Sequence, residues 1–299
     1  MRRVLRYLVA IVGTLAMLAG AGTVAAGMLP ESVPQASRWI LPMARAAAES
    51  PALALPPPLL QPAPVTIDSP GFWSWALLDT RTGKLVGSDN FAATSTTASM
   101  IKAWLVSDYL RMQAEAGRTP SQEWLRKLSA IIRDSNNEYT QELFRDQLGK
   151  HESIKRLISI CGLTDSRPVP GYWSNTLVSA RDTARMAACI ADGRAAGPQW
   201  TEWVLNEMRH VNSPGDFGII KALPPEVQKQ TAIKNGWLLR DETTCEGPAC
   251  GPGNWHISCM AIGDGWTLGV LTRYPGRLGM EHGENICQSV AAQLLHPVK

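Results

Sequence analysis

The chain has 299 residues, 45% of them hydrophobic and 18% charged, with a formal net charge of +3. That length and apolar content suffice for a full hydrophobic core, exclude a disordered chain and leave room for attachments beside one large domain. The small charge and the scatter of lysines and arginines exclude nucleic acid as the expected partner.

Arg2, Arg3 and Arg6 precede Leu8–Leu29, 22 residues without a charge. A helix there would cover roughly 33 Å, close to the hydrocarbon thickness of a bilayer, with the arginines on the cytoplasmic side. The small residues Thr23-Val24-Ala25-Ala26-Gly27 equally suit a cleaved leader. Residues 1–29 are therefore a signal peptide or an N-terminal membrane anchor, with no cysteine for lipid attachment. The remainder is expected outside the cytoplasm, secreted or membrane-anchored through residues 8–29. Nine prolines between 30 and 64, including Pro56-Pro57-Pro58, mark residues 30–66 as a stiff linker. Residues 67–299 form the domain.

Within the domain, Phe72 to Leu78 reads as a strand, Asp79 to Gly83 as a turn and Lys84 to Val86 as the returning strand. Ser99-Met100-Ile101-Lys102 then opens an apolar stretch, Ala103 to Val106, that reads as a buried helix. Thr119-Pro120-Ser121-Gln122 signals the next helix, with Thr119 as the expected cap. Its Trp124, Leu125, Leu128, Ile131 and Ile132 keep the helical period until Asp134 to Asn137 breaks it. Further helices are predicted near 138–148, 152–161 and 180–192. The period returns to two over 232–239, 255–261 and 266–272, and a closing helix over 284–295 is expected to cover one sheet face. Strands at both ends with helices between them predict an α/β (α+β) fold, an antiparallel sheet flanked by helices with an inserted helical lobe. The site is expected in the cleft between the two.

All six cysteines lie beyond residue 160, an even number that fits disulfides in an oxidising compartment. Cys245 and Cys250 could close a small loop; Cys161, Cys189, Cys259 and Cys287 allow three pairings. There is no C-x-x-C, and the five histidines lack the pair spacing of a helical metal site, so no metal is expected.

Ser99 is followed three residues later by Lys102, and none of the other eight lysines has a serine at that offset. Three residues of helix put a hydroxyl and an amine on one face. A serine is a weak nucleophile until a base takes its proton, and a lysine can act so only if burial or a nearby cation keeps it neutral. Two further short motifs follow in order, Ser135-Asn136-Asn137 on the turn between two helices and Lys234-Asn235-Gly236 on a late strand. Ser88-Asp89-Asn90 has similar composition but precedes Ser99, and reads as an ordinary turn.

On these three motifs the chain resembles the serine penicillin-binding protein and class A β-lactamase superfamily, whose signatures S-x-x-K, S-D-N and K-T-G occur in this order. The resemblance covers about residues 67–299 and implies the β-lactamase/DD-peptidase-like fold. It implies Ser99 as nucleophile, Lys102 as base and Ser135 as proton relay to the leaving group. It places Asn137, Lys234, Asn235, Gly236, Trp237 and Arg273 around the substrate. In that scheme Asn137 holds an amide, Lys234 and Arg273 attract a carboxylate, and Gly236 leaves room along the strand edge. The backbone N–H groups of Ser99 and Trp237 would form an oxyanion hole. Asn235 stands where the family has a hydroxyl, and Asn136 where it has Asp. No cofactor is implied.

Class A enzymes also carry a glutamate between the second and third motifs that activates the deacylating water. From Ser153 to Thr201 this chain has no glutamate, and Asp165 is the nearest substitute. The expected function is an exported serine hydrolase that forms an acyl-enzyme on an amide, β-lactam or ester bond of a small-molecule or peptide substrate, such as cell-wall material, with inefficient β-lactam hydrolysis. The alternatives are a catalytically weak module that binds a cell-wall peptide or a partner protein, and a serine esterase or glutaminase on the same fold.

Overall fold

The computed structural model describes residues 64–241 and 253–295; the N-terminal segment, most of the linker, Cys245 and Cys250 lie outside the described residues. Two strands, β1 (Phe72–Asp79) and β2 (Leu85–Gly87), open the domain as the predicted hairpin. The short β3 (Thr94–Thr96) leads into a 3-10 turn, Ala98–Ile101, and then α1 (Lys102–Glu115). The lobe continues with α2 (Gln122–Arg133), α3 (Asn137–Glu142), α4 (His151–Cys161), β4 (Leu177–Ser179), α5 (Ala180–Ala191), α6 (Thr201–Arg209) and the one-turn α7 (Pro225–Gln228). Three long strands, β5 (Ala232–Arg240), β6 (Asn254–Gly263) and β7 (Trp266–Pro275), precede α8 (Gly279–Leu294).

The five-stranded antiparallel sheet has the order β2-β1-β7-β6-β5, so the first hairpin is completed by the last three strands and β5 lies at an edge. One face of the sheet, with Ala76, Met260 and Leu271, packs on the helical lobe through Met100, Trp104, Ile131 and Met186. The other, with Trp75, Leu77, Ile257 and Val270, packs on Ile286, Val290 and Leu294 of α8. Cover on both faces is why Trp75, Ala76 and Leu77 are all buried, where a sheet with one wet face would bury alternate residues.

Helix α2 begins two residues later than the sequence signal. Its cap is Ser121, whose hydroxyl accepts from the Trp124 amide at 3.2 Å, leaving Thr119 and Pro120 outside. Of the three open cysteine pairings the fold selects Cys161–Cys189, joining α4 to α5, and Cys259–Cys287, joining β6 to α8. Ser88-Asp89-Asn90 is a turn tied to β1, with the Asn90 amide donating to the Trp73 carbonyl at 2.9 Å.

Candidate active site

Ser99 and Lys102 stand across one turn of 3-10 helix. At three residues per turn a spacing of three stacks the two side chains more closely in register than an α-helix would. The turn is entered through Ala98, whose φ of 44° lies in the left-handed region. Ser135 has φ 55° in the three-residue link between α2 and α3. Each conformation costs a non-glycine residue on the order of 1–2 kcal/mol, and such strain clusters where backbone must aim a functional group. Here it turns both the carbonyl and the hydroxyl of Ser135 toward Lys102. Asn136 caps α3, accepting from the Tyr139 amide at 2.8 Å, so the middle residue of the second motif faces away from the two lysines.

The buried Lys102 amine contacts the Ser135 carbonyl oxygen, Ser135 Oγ at 3.2 Å and Asn137 Oδ1 at 2.7 Å. Lys234, buried on β5, reaches the same Ser135 Oγ at 3.1 Å and the Asn235 carbonyl at 3.3 Å. Burial, followed by the Lys234 charge, pushes Lys102 down to about 6; burial alone pushes Lys234 down to about 7. A neutral Lys102 has two N–H bonds and one lone pair. The Ser135 carbonyl and Asn137 Oδ1 can only accept, so they take the two N–H bonds and the lone pair accepts the Ser135 hydroxyl proton. Proton donation therefore runs from the Lys234 ammonium to Ser135 and from Ser135 to Lys102.

Strand alternation separates the third motif. Lys234 and Gly236 pair with Met260 and Ser258 on the lobe-facing side, while Asn235 and Trp237 pair with Cys259 and Ile257 on the α8 side. Asn235 is 1% exposed, and its amide donates to the carbonyls of Gly215 at 3.0 Å and Phe217 at 2.9 Å. It anchors β5 to the preceding segment, which differs from the substrate contact expected of it. Gly236 differs too. A Cβ there would stand 2.6 Å from the backbone nitrogens of Ser99 and Met100 and from the Thr97 carbonyl oxygen, so the space it leaves holds the backbone of the Ser99 turn. Glycine lets the β5 edge lie directly against the amide of Ser99.

Arg273 is on β7, which β6 separates from β5; its guanidinium lies 5.4 Å from the centre of the Phe72 ring. It is not on the strand next to Lys234. Asp165 is held by Arg181 at 2.7 Å and by the Ser179 hydroxyl at 2.7 Å. Burial works to raise its carboxyl, but those hydrogen bonds and the Arg181 charge prevail and hold it below the usual range. It braces the loop between α4 and β4, together with Asp182, which accepts from the amides of Thr164 and Asp165.

The same loop supplies a group that sequence reasoning missed. Trp173, 6% exposed, lies with its ring centre 4.7 Å from Lys102 Nζ and shields that nitrogen from water. Its signal was the turn-forming Pro168-Val169-Pro170-Gly171 run, which delivers two aromatics, Tyr172 and Trp173, to one loop tip. A cavity of about 240 Å³ opens beside Ser99, lined by Ala98, Asn137, Gln141, Tyr172, Trp173, Ser174, Trp237 and Leu238. Among the described residues no cluster of three His, Cys, Asp or Glu side chains is placed to hold a metal ion.

Among solved structures the chain is similar to a β-lactamase from Burkholderia vietnamiensis, with TM-score 0.60 and 15% identity over 76% of this chain and 91% of that one. A β-lactamase from Xanthomonas campestris gives 0.58 and 16%, covering 77% and 93%. An ancestral class A β-lactamase of Gram-negative bacteria gives 0.56 and 16%, covering 75% and 93%. The chain has the class A β-lactamase fold. Within that fold, Ser99, Lys102, Ser135 and Lys234 lie at the junction of sheet and helical lobe. No family model matches the sequence. Among curated proteins it is similar to the "Putative lipoprotein LppW" of Mycobacterium tuberculosis and of Mycobacterium bovis, 29% identical over 199 residues. That match spans 64% of this chain and 59% of those relatives, less than two thirds of their length.

Proposed function

We propose that this chain is an exported serine hydrolase that forms an acyl-enzyme quickly and releases it slowly. The observation that carries the reading is two buried lysines converging on one serine hydroxyl beside Ser99. Ser99 attacks a carbonyl, and Lys102, neutral at pH 7, turns its lone pair from Ser135 to Ser99 and takes its proton; Ser135 passes a proton to the leaving group, and the Lys234 ammonium offsets the negative charge that develops. The β5 edge against the Ser99 amide supplies the setting for an oxyanion hole. Slow release follows from the loop above Lys102, which presents an indole there, while its one carboxylate is held by Arg181.

Export is supported by the two disulfides among the described residues, by the charge-free segment after Arg6, and by the relatives named as lipoproteins. Among the described residues no helix is long and apolar enough to cross a membrane.

A second reading, a binding module without turnover, is favoured by the same indole over Lys102. Treating the protein separately with a fluorescent penicillin and with small p-nitrophenyl esters, then mapping adducts by peptide mass spectrometry, decides between the two. An adduct on Ser99 that is absent from Ser99→Ala, with a burst followed by slow turnover, supports the enzyme. No Ser99 adduct from either reagent leaves the binding module.

A further inference from the structure

We propose that the Ser99 cleft takes an uncharged acyl donor whose acyl group ends in one aromatic or aliphatic ring, and disfavours a donor carrying a carboxylate near the scissile bond. The proposal rests on the acyl-enzyme reading above and names its substrate class.

The walls of the cavity are apolar and its polar groups are neutral. Tyr172, Trp173 and Leu238 line it together with Ser99, Asn137 and Gln141, while Trp237 borders it from β5 with its ring set edge-on against Phe217. Tyr172 is 64% exposed, more than any other large hydrophobic residue among those described, and it is held at the rim of the site. Ring faces so placed stack on a flat or cyclic apolar group, a preference beyond simple area burial. The volume, about 240 Å³, suits a single ring with its carbonyl, since a cavity of about 150 Å³ accepts benzene.

The groups that would welcome a carboxylate are turned elsewhere. Asn235 gives its amide to Gly215 and Phe217. Lys234 is buried and directed to Ser135 Oγ and the Asn235 carbonyl. Arg273 sits on Phe72 and belongs to a strand two spacings, roughly 10 Å, from β5. Arg240, at the end of β5, donates to Asn175 Oδ1 at 3.0 Å. Gln141, which also lines the cavity, brings a neutral amide and no positive charge. Asn137 uses its Oδ1 on Lys102, leaving its amide hydrogens as neutral donors.

For an ester the step is balanced. A bond forms between Ser99 Oγ and the acyl carbon, and the bond from that carbon to the leaving oxygen breaks. The Ser99 proton moves to Lys102, Lys102 returns a proton to Ser135, and the Ser135 hydroxyl proton goes to the leaving oxygen. The products are the Ser99 ester and a free alcohol or phenol.

The test compares phenyl phenylacetate with the phenylacetate ester of 3-hydroxybenzoic acid, which differs by one carboxylate on the leaving group. Released phenol and the intact mass of the full chain report acylation. The neutral ester is expected to acylate Ser99 at least about 10-fold faster. Tyr172→Ala, at an exposed position that does not threaten folding, is expected to slow phenylacetylation roughly 3- to 10-fold and to slow acetylation by phenyl acetate by a smaller factor. Equal or faster reaction of the carboxylated ester, or an equal effect of Tyr172→Ala on both acyl groups, overturns the proposal. A Ser99 adduct from penicillin but none from the neutral ester overturns it while leaving the acyl-enzyme reading intact. No adduct from any of these reagents removes both.

Discussion

At the scale of single residues the decisive pair is Lys102 and Lys234, two amines taken out of water within reach of one hydroxyl. The proposed acylation needs Lys102 neutral and Lys234 charged. The acylation rate is therefore expected to rise as pH passes about 6 and to fall as it passes about 7, a narrow bell whose limbs report the coupled pair. Lys102→Met should remove the rising limb and cost roughly 10²–10⁴-fold in acylation, measured as the pH profile of ester burst kinetics. Stability carries the opposite preference. An unfolded lysine holds its proton to about 10.5, so between about 6 and 10.5 the unfolded chain binds a proton that folded Lys102 does not. Stability then increases with pH through that window. Urea unfolding at pH 7 and pH 9 should show this gain, and Lys102→Met should lose part of it while being more stable at pH 7 by about 1–3 kcal/mol. An unchanged or lowered stability of Lys102→Met at pH 7 would contradict the burial argument.

At the scale of elements, β5 presents its two faces to different tasks, and neighbouring residues there should fail differently. Gly236→Ala drives a methyl into the backbone of the Ser99 turn, so β5 must withdraw. The expected result is a loss of about 1–3 kcal/mol in stability together with at least a 10-fold fall in acylation. Asn235→Ala leaves the carbonyls of Gly215 and Phe217 unpaired on the buried side. It should cost about 1–3 kcal/mol in denaturant unfolding while the KM for an ester changes less than about 2-fold. A large KM change without loss of stability would restore Asn235 to the substrate. The lysine and glycine of the third motif share a face because they are two apart, which the spacing already contains. That Gly236 meets the Ser99 turn required the distant segments to be brought together.

At the scale of the molecule, a sheet built from both ends of the domain encloses an inserted helical lobe, and each disulfide reinforces one side of that arrangement. Cys161–Cys189 lies within the lobe, and Cys259–Cys287 ties the sheet to α8, each closing 28 residues of separation. Replacing Cys259 and Cys287 together by alanine should lower stability by about 3 kcal/mol through freedom regained in the unfolded chain, measured by thermal or urea unfolding. The Lys102 contacts to Ser135 and Asn137 should persist in the folded variant, because they lie on the opposite face of the sheet from α8; retained burst amplitude at permissive temperature would show this.

The sequence by itself determined what periodicity and local chemistry encode. The strand and helix succession, the Ser99–Lys102 pair, Ser135 on its turn and the Lys234–Gly236 face lie within spans of a few residues or one repeat, and the absence of a glutamate from Ser153 to Thr201 is read directly from the residues. Tertiary structure decided what depends on long-range approach. Which cysteines pair, that Asn235 turns inward, that Arg273 is a strand further away, that Asp165 braces a loop and that Trp173 covers Lys102 are set by packing between segments remote in sequence. No local period carries that information, since a loop aromatic reads the same whether it faces solvent or a buried amine.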